Sequence, residues 1–160
     1  MKKKTQPTRF NFPHKLYILM RNDIASMNPG KAMAQACHAA NQFVHEYGDN
    51  EDVKHWQKEG KGFGTTIVLS VDSPTFKDTM MKAMQLGVRT RGLVFDTTYP
   101  FITNKEIAEL IPTEKLSAPS IFKEDGRVVM FRNELTCGYL FVVDGSSKQE
   151  EIVGALPLHP

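Results

Sequence analysis

A chain of 160 residues, 41% of them hydrophobic and 24% charged, can bury one core and is too short for a second independent domain. That balance excludes a disordered chain, and no apolar run approaches the roughly 20 residues of a membrane span. The formal net charge of +2 permits a polyanionic partner without arguing for one.

The positive bias is local. Lys2, Lys3, Lys4, Arg9 and Lys15 fall among the first 15 residues with no acid between them. Residues 1–14 read as a flexible basic arm, open between a nucleic-acid contact and a solubilising tail. No hydrophobic segment follows before Arg21–Asp23, so the arm is not a secretory signal. Cys37 and Cys137 then read as reduced thiols of a cytoplasmic protein, with Cys37 a small core residue. The histidines form no ligand cluster with either cysteine, which argues against zinc.

LYILMR (16–21) turns polar at Arg21, as a buried strand does at its end. Asn28-Pro29 supplies a cap and a first-turn proline, and a helix runs from there to about Tyr47, stopped by Gly48 and Asp49. EDVKHWQKEG (51–60) is a short second helix, and TTIVLSV (65–71) a buried strand. Ser73-Pro74 repeats the cap-plus-proline device and opens a helix through Leu86, with Phe76, Met80, Ala83 and Met84 as its apolar face. VRTRGLVFD (88–96) is a third strand whose carboxyl end delivers Asp96. The order β-α-α-β-α-β predicts a three-layer α/β/α domain over residues 15–160 with a mostly parallel mixed sheet.

The last third departs from that rhythm. NKEIAELIP (104–112) is a short helix, and Asp125-Gly126 inside IFKEDGRVVMFR (121–132) signals a β-hairpin. TCGYLFVV (136–143) is the final strand and SSKQEEIVGAL (146–156) a terminal helix. The added helix and hairpin form an insertion at about 99–134.

Placed at about 100° per residue, Lys31, Gln35, His38, Gln42 and His45 share one side of the first helix. Met33, Ala36, Ala40, Phe43, Val44 and Tyr47 face the other way and are the expected core. Ala32, Ala34 and Ala39 lie between and leave room for a close neighbour. A polar stripe is ordinary for a surface helix, yet this one carries amides and histidines of fixed hydrogen-bonding geometry. Gly30 and Lys31 also sit in the first turn, where free N–H groups attract an anion. A nucleotide P-loop is excluded: Ala25 stands where the upstream glycine is required, and Ala32 where Ser or Thr would hold magnesium.

Arg21-Asn22-Asp23-Ile24, then Met27, Gly30-Lys31, Ala34-Gln35 and His38-Ala39, resemble in order the opening of the archaeal and eukaryotic (class II) peptidyl-tRNA hydrolases. Trp56, Leu86-Gly87-Val88, LVFD (93–96) and the strand beginning at Thr136 resemble later elements of that family. The resemblance covers roughly 16–98 and 134–156. One departure is plain: where the family has a short loop after its aspartate, 40 positions here separate Asp96 from Thr136.

The resemblance implies hydrolysis of the ester joining a peptide, or an N-blocked amino acid, to the 3′-terminal ribose of tRNA. It implies no metal or cofactor. Asp96 or His38 is the implied base, and Lys31 or Thr136 the donor to the oxyanion. Arg21, Asn22, Gln35 and Thr98 are the implied substrate-binding residues, with phosphates falling to Arg21, Lys31 and the basic arm. Asp23 reads as closing the turn after the first strand, and Trp56 as packing. The alternative is a non-catalytic RNA- or tRNA-binding module on the same fold. A different ester or amide hydrolase is a weaker option. The hairpin's exposed edge leaves a homodimer open.

Overall fold

The computed structural model describes residues 13–143 and 147–160. The basic arm falls mostly on residues 1–12, outside the described part. Strand β1 (Lys15–Arg21) is buried throughout its middle and pairs in parallel with β2 (Thr66–Val71). Its other edge pairs antiparallel with β5 (Arg127–Val142). β3 (Arg91–Asn104) runs antiparallel along the far edge of β5, and β4 (Ala118–Phe122) takes the edge of β5 that β1 leaves free. The strand order is β2-β1-β5-β3.

The α/β class and the mixed sheet are as expected. The parallel share is smaller than expected, one pairing of the four. The final strand enters between β1 and β3, against the direction of both, and separates strands that the βαβ rhythm would have set side by side.

Two helical layers cover this sheet. Helices α1 (Pro29–Tyr47) and α2 (Glu51–Lys58) pack on one face, α3 (Ser73–Gln85) and α5 (Ser147–Gly154) on the other. The period-two alternation of a strand divides β1 between them. Leu16, Ile18 and Met20 join the α1–α2 core, and Tyr17 and Leu19 the α3–α5 core. Phe43 is the hub of the first core, with its ring 5.1 Å from Phe141, 5.3 Å from Trp56 and 5.7 Å from Tyr139. The Trp56 indole N–H donates to the Thr65 carbonyl at 2.9 Å, a packing role as expected. Gly92 leaves the space that Tyr139 fills: a Cβ there would meet the phenol ring at 2.4 Å.

Several local readings change. The cap of α3 is Asp72, which accepts from the Thr75 N–H, so Ser73 is already helical. Met84 is exposed, and Thr79 takes its place on the buried face. On α1 the buried stripe is Ala32, Gln35, Ala39 and Phe43, while Met33 is 66% exposed and Val44 is exposed too. The helix is rotated toward its alanines because the sheet backbone comes closest where side chains are small. Cys37 is exposed, not a core residue, and Cys137 is the buried thiol.

β3 does not end at Asp96. It continues to Asn104 beside the first half of β5, and β4 completes a three-stranded arm with the short helix α4 (Lys105–Glu109) at its tip. The Asp125-Gly126 hairpin forms as expected, with Gly126 at φ +77° in the turn. Its second strand and the expected final strand are one continuous strand.

Arg21 ends β1 in a double ion pair. Its Nε and Nη2 donate to the Asp23 carboxylate at 2.9 Å, and its Nη1 donates to Glu134 at 3.0 Å and to the Leu135 carbonyl at 2.9 Å. Asp23 thus fastens the turn, and the Arg21 hydrogen bond holds its carboxyl below the usual carboxylate range. A depressed carboxyl stabilises the fold above its unfolded value of about 3.9, and that contribution fades as pH falls through the folded value. Asp23→Asn should therefore lower Tm at neutral pH, with the gap from the parent closing below about pH 4. A gap independent of pH in thermal melts would count against this role.

Candidate active site

The polar ridge of α1 lies along β3, each in reverse order to the other. Lys31 Nζ donates to the Pro100 carbonyl at 3.3 Å, Gln35 Nε2 to Asp96 Oδ2 at 2.7 Å and Gln42 Nε2 to the Leu93 carbonyl at 3.3 Å. Tyr47 closes the seam with a 3.2 Å bond to the Arg91 carbonyl. The row is neither an ordinary wet face nor uniformly exposed: Gln35 is buried, Gln42 half-buried, His38 and His45 exposed.

Two bulges aim the central residues. Between Val94 and Phe95 the partner on β5 jumps from Cys137 to Leu135, so Thr136 is the extra residue. Between Asp96 and Tyr99 the partner moves only from Glu134 to Arg132, so the extra residue there is in β3. A bulge breaks alternation and re-aims side chains. Thr136 and Cys137, though adjacent, consequently both meet α1: the Thr136 hydroxyl donates to Gln35 Oε1 at 2.6 Å, and the Cys137 thiol to the Gln35 carbonyl at 3.5 Å. Burial pushes the Cys137 thiol up to about 12, so it stays protonated and inert.

The result is a directed chain of hydrogen bonds. A carboxylate only accepts, so the Gln35 amide nitrogen faces Asp96 and its oxygen faces the Thr136 hydroxyl. The other Asp96 oxygen accepts from the Thr98 backbone N–H at 3.0 Å. The Thr98 hydroxyl adds a long 3.5 Å contact to the same oxygen, and Oδ2, held by Gln35 alone, keeps lone-pair capacity for a further donor. Thr136 is fully buried and spends its single proton on Gln35, which places it behind the amide rather than at an open surface.

Lys31 stands one turn before Gln35. Its ammonium lies 4.7 Å from the centroid of the Tyr99 ring and bonds a neutral carbonyl, so the cation keeps donors in hand. Asn22 is exposed at the end of β1, with its amide donating to the Ser70 hydroxyl at 3.0 Å. Arg21 is occupied by two carboxylates as described. His38 is one turn beyond Gln35 on the same helix face. Asp96, Gln35, Thr136 and Thr98 are therefore joined directly, with Lys31 beside them along β3, while Arg21 and Asn22 cluster at the end of β1.

Two further residues matter here that the sequence does not single out. Tyr99 is buried, accepts a 3.2 Å hydrogen bond from Ser26 and supports Lys31, fixing the loop before α1 to the arm. Glu134 bridges Arg21 and Arg132. Only an aromatic close after the aspartate hints at Tyr99, and no sequence pattern marks Glu134. Among the described residues no group of three or more His, Cys, Asp or Glu is placed to hold a metal ion.

Removing the Thr136 hydroxyl tests the chain. Thr136→Val keeps the shape but leaves the Gln35 oxygen buried without a donor, a loss of about 1–3 kcal/mol. Urea unfolding should show a lower midpoint at unchanged slope. A midpoint equal to the parent's would mean that the hydroxyl does not support Gln35.

The candidate site is therefore a strand-borne aspartate bonded to a buried helix glutamine, with a lysine one helical turn away. The family model described as peptidyl-tRNA hydrolase PTH2 matches residues 14–105, more than half of the chain, and the protein belongs to that family. The match contains Lys31, Gln35, His38, Asp96 and Thr98; Thr136 and most of the arm lie beyond it. No curated protein matches the chain. Among solved structures, it is similar to a protein of unknown function, Atu0240, from Agrobacterium tumefaciens strain C58. The identity is 9% and the TM-score 0.45, over 94% of this chain and 100% of that one, a likeness too distant to bear on function.

Proposed function

We propose that the protein hydrolyses the ester between a peptide, or an N-blocked amino acid, and the 3′-ribose of tRNA, recycling peptidyl-tRNA in the cytoplasm. The observation that carries this reading is the Thr136–Gln35–Asp96 chain, with Lys31 one helical turn before Gln35 and Lys31, Gln35 and Asp96 all in the part of the sequence that matches the family. No helix among the described residues is long and apolar enough to cross a membrane.

In this reading Asp96 is the base. A water bonded to its open lone pairs attacks the ester carbonyl, and the carboxylate takes the water proton as the new C–O bond forms. General-base help of this kind is worth about 10²–10⁴-fold. The carbonyl oxygen gains negative charge and is met by the Lys31 ammonium, whose remaining protons point away from Pro100; one such donor is worth roughly 3–4 kcal/mol. As the intermediate collapses, the ester C–O bond breaks and the proton on Asp96 passes to the leaving 3′-oxygen. Gln35 fixes the carboxylate, and Thr136 is a positioning residue that fixes Gln35. His38 is the second candidate for the proton carrier, but it has no hydrogen-bonded partner to orient it among the described residues.

The test is incubation with labelled N-blocked aminoacyl-tRNA, following release of the acyl group. Turnover supports the enzyme. Retained, salt-sensitive tRNA binding without release would leave a binding module on this fold.

A further inference from the structure

The family match ends at residue 105, yet the arm, most of it beyond that point, walls a cleft of about 920 Å³ beside Lys31. One side is the loop and first turn of α1, with Ile24, Ser26, Asn28 and Lys31. The other is the arm, with Pro100, Phe101, Ile102, Val129 and the cations Lys123, Arg127 and Arg132. Four cations and no carboxylate line it.

The partners of those cations decide what the cleft can hold. Lys123 has no carboxylate partner among the described residues. Arg127 pairs with Asp125 in the hairpin turn, where both side chains are about half exposed, a pair that solvent makes weak. Arg132 is tied to Glu134 and lies 5.1 Å from the Phe101 ring centroid, forming a cation-on-aromatic wall. Apolar walls, an aromatic plane and under-compensated cations are what a single-stranded polynucleotide takes: bases against the apolar surface, phosphates on the cations. An apolar peptide would leave the lysine and arginines uncompensated.

We propose that this cleft holds the single-stranded RNA end of the substrate, with Lys123 and Arg127 on its phosphates and Phe101 and Ile102 against a base. The assignment rests on the hydrolase reading above and gives the site a direction. The RNA enters from the arm side and its terminal ribose reaches Asp96 past Lys31. The acyl group then leaves toward the His38 end of α1. The long arm is in this view the chain's own RNA-gripping wall, with its cations Lys123, Arg127 and Arg132 supplied by sequence outside the family match.

The experiment is the salt dependence of tRNA binding by the full chain. Removing one phosphate-binding cation reduces the slope of log K against log salt by about 0.7 for a single strand, so Lys123→Ala/Arg127→Ala should flatten it by about 1.4. Binding at low salt should weaken roughly tenfold. Lys77→Ala/Lys148→Ala removes equal charge from α3 and α5 on the other side of the sheet and should leave the slope alone. Lys123→Ala, which breaks no ion pair, should give about half the effect of the arm pair. An unchanged slope in the arm variants, or equal flattening in the control, overturns the proposal. Acyl release is read separately. Hydrolysis with an unchanged arm slope defeats this assignment alone, and a flattened slope without hydrolysis defeats the enzyme reading alone.

Discussion

Asp96→Asn is expected to cut single-turnover acyl release by about 10²–10⁴-fold, because an amide cannot accept the proton of the attacking water. The fold should tolerate the change. The introduced amide would present a donor to the Gln35 amide nitrogen, and a flip of Gln35 restores the pairing. Thr136 then accepts from the flipped amide, and its proton turns to the Val94 carbonyl, already 3.4 Å away. tRNA affinity comes mostly from phosphates and should stay within about twofold of the parent. Rate and affinity falling together would remove Asp96 from the chemistry and make it part of the binding surface.

The largest stability effect is expected at Phe43. It is fully buried and contacts the rings of Trp56, Tyr139 and Phe141, so truncation opens a cavity between two helices and the sheet. Phe43→Ala should cost about 3–5 kcal/mol, a large part of the roughly 5–15 kcal/mol typical of a folded domain. Met33→Ala, ten residues earlier on the same helix, should stay within about 0.5 kcal/mol because Met33 is 66% exposed. Comparable losses in denaturant unfolding would mean that α1 is rotated from the orientation described.

That pair of residues also shows where the sequence is legible. Caps, prolines and β-branched runs act within a few residues, and they locate β1, β2, α1 and α2 closely. Angles on α1 separate polar from apolar, but the buried stripe is set by how near the sheet approaches. The alanines therefore go inside with Gln35, and Met33 comes out. Strand direction is a global property: nothing in TCGYLFVV says that it enters between β1 and β3.

The site divides along the same line. Lys31, Gln35, His38, Asp96, Thr98 and Thr136 are picked out by the order of motifs, which carries residue identity and no orientation. Gln35 reads in sequence as a substrate contact and sits in the fold between Asp96 and Thr136. The two bulges that aim the latter pair are invisible to a period-two reading, because each is a single extra residue defined by its partner strand. Arg21 reads as a phosphate ligand, but Asp23 and Glu134 already hold its guanidinium; the second of these is 113 positions away in sequence.

The measurement that bears most directly on the central claim is hydrolysis of N-blocked aminoacyl-tRNA in ¹⁸O-water, with mass analysis of both products. Attack of an Asp96-held water on the ester carbonyl puts one heavy oxygen into the released N-blocked amino acid and none into the tRNA. Heavy oxygen in the tRNA, or no released acid at any enzyme concentration, would contradict the account.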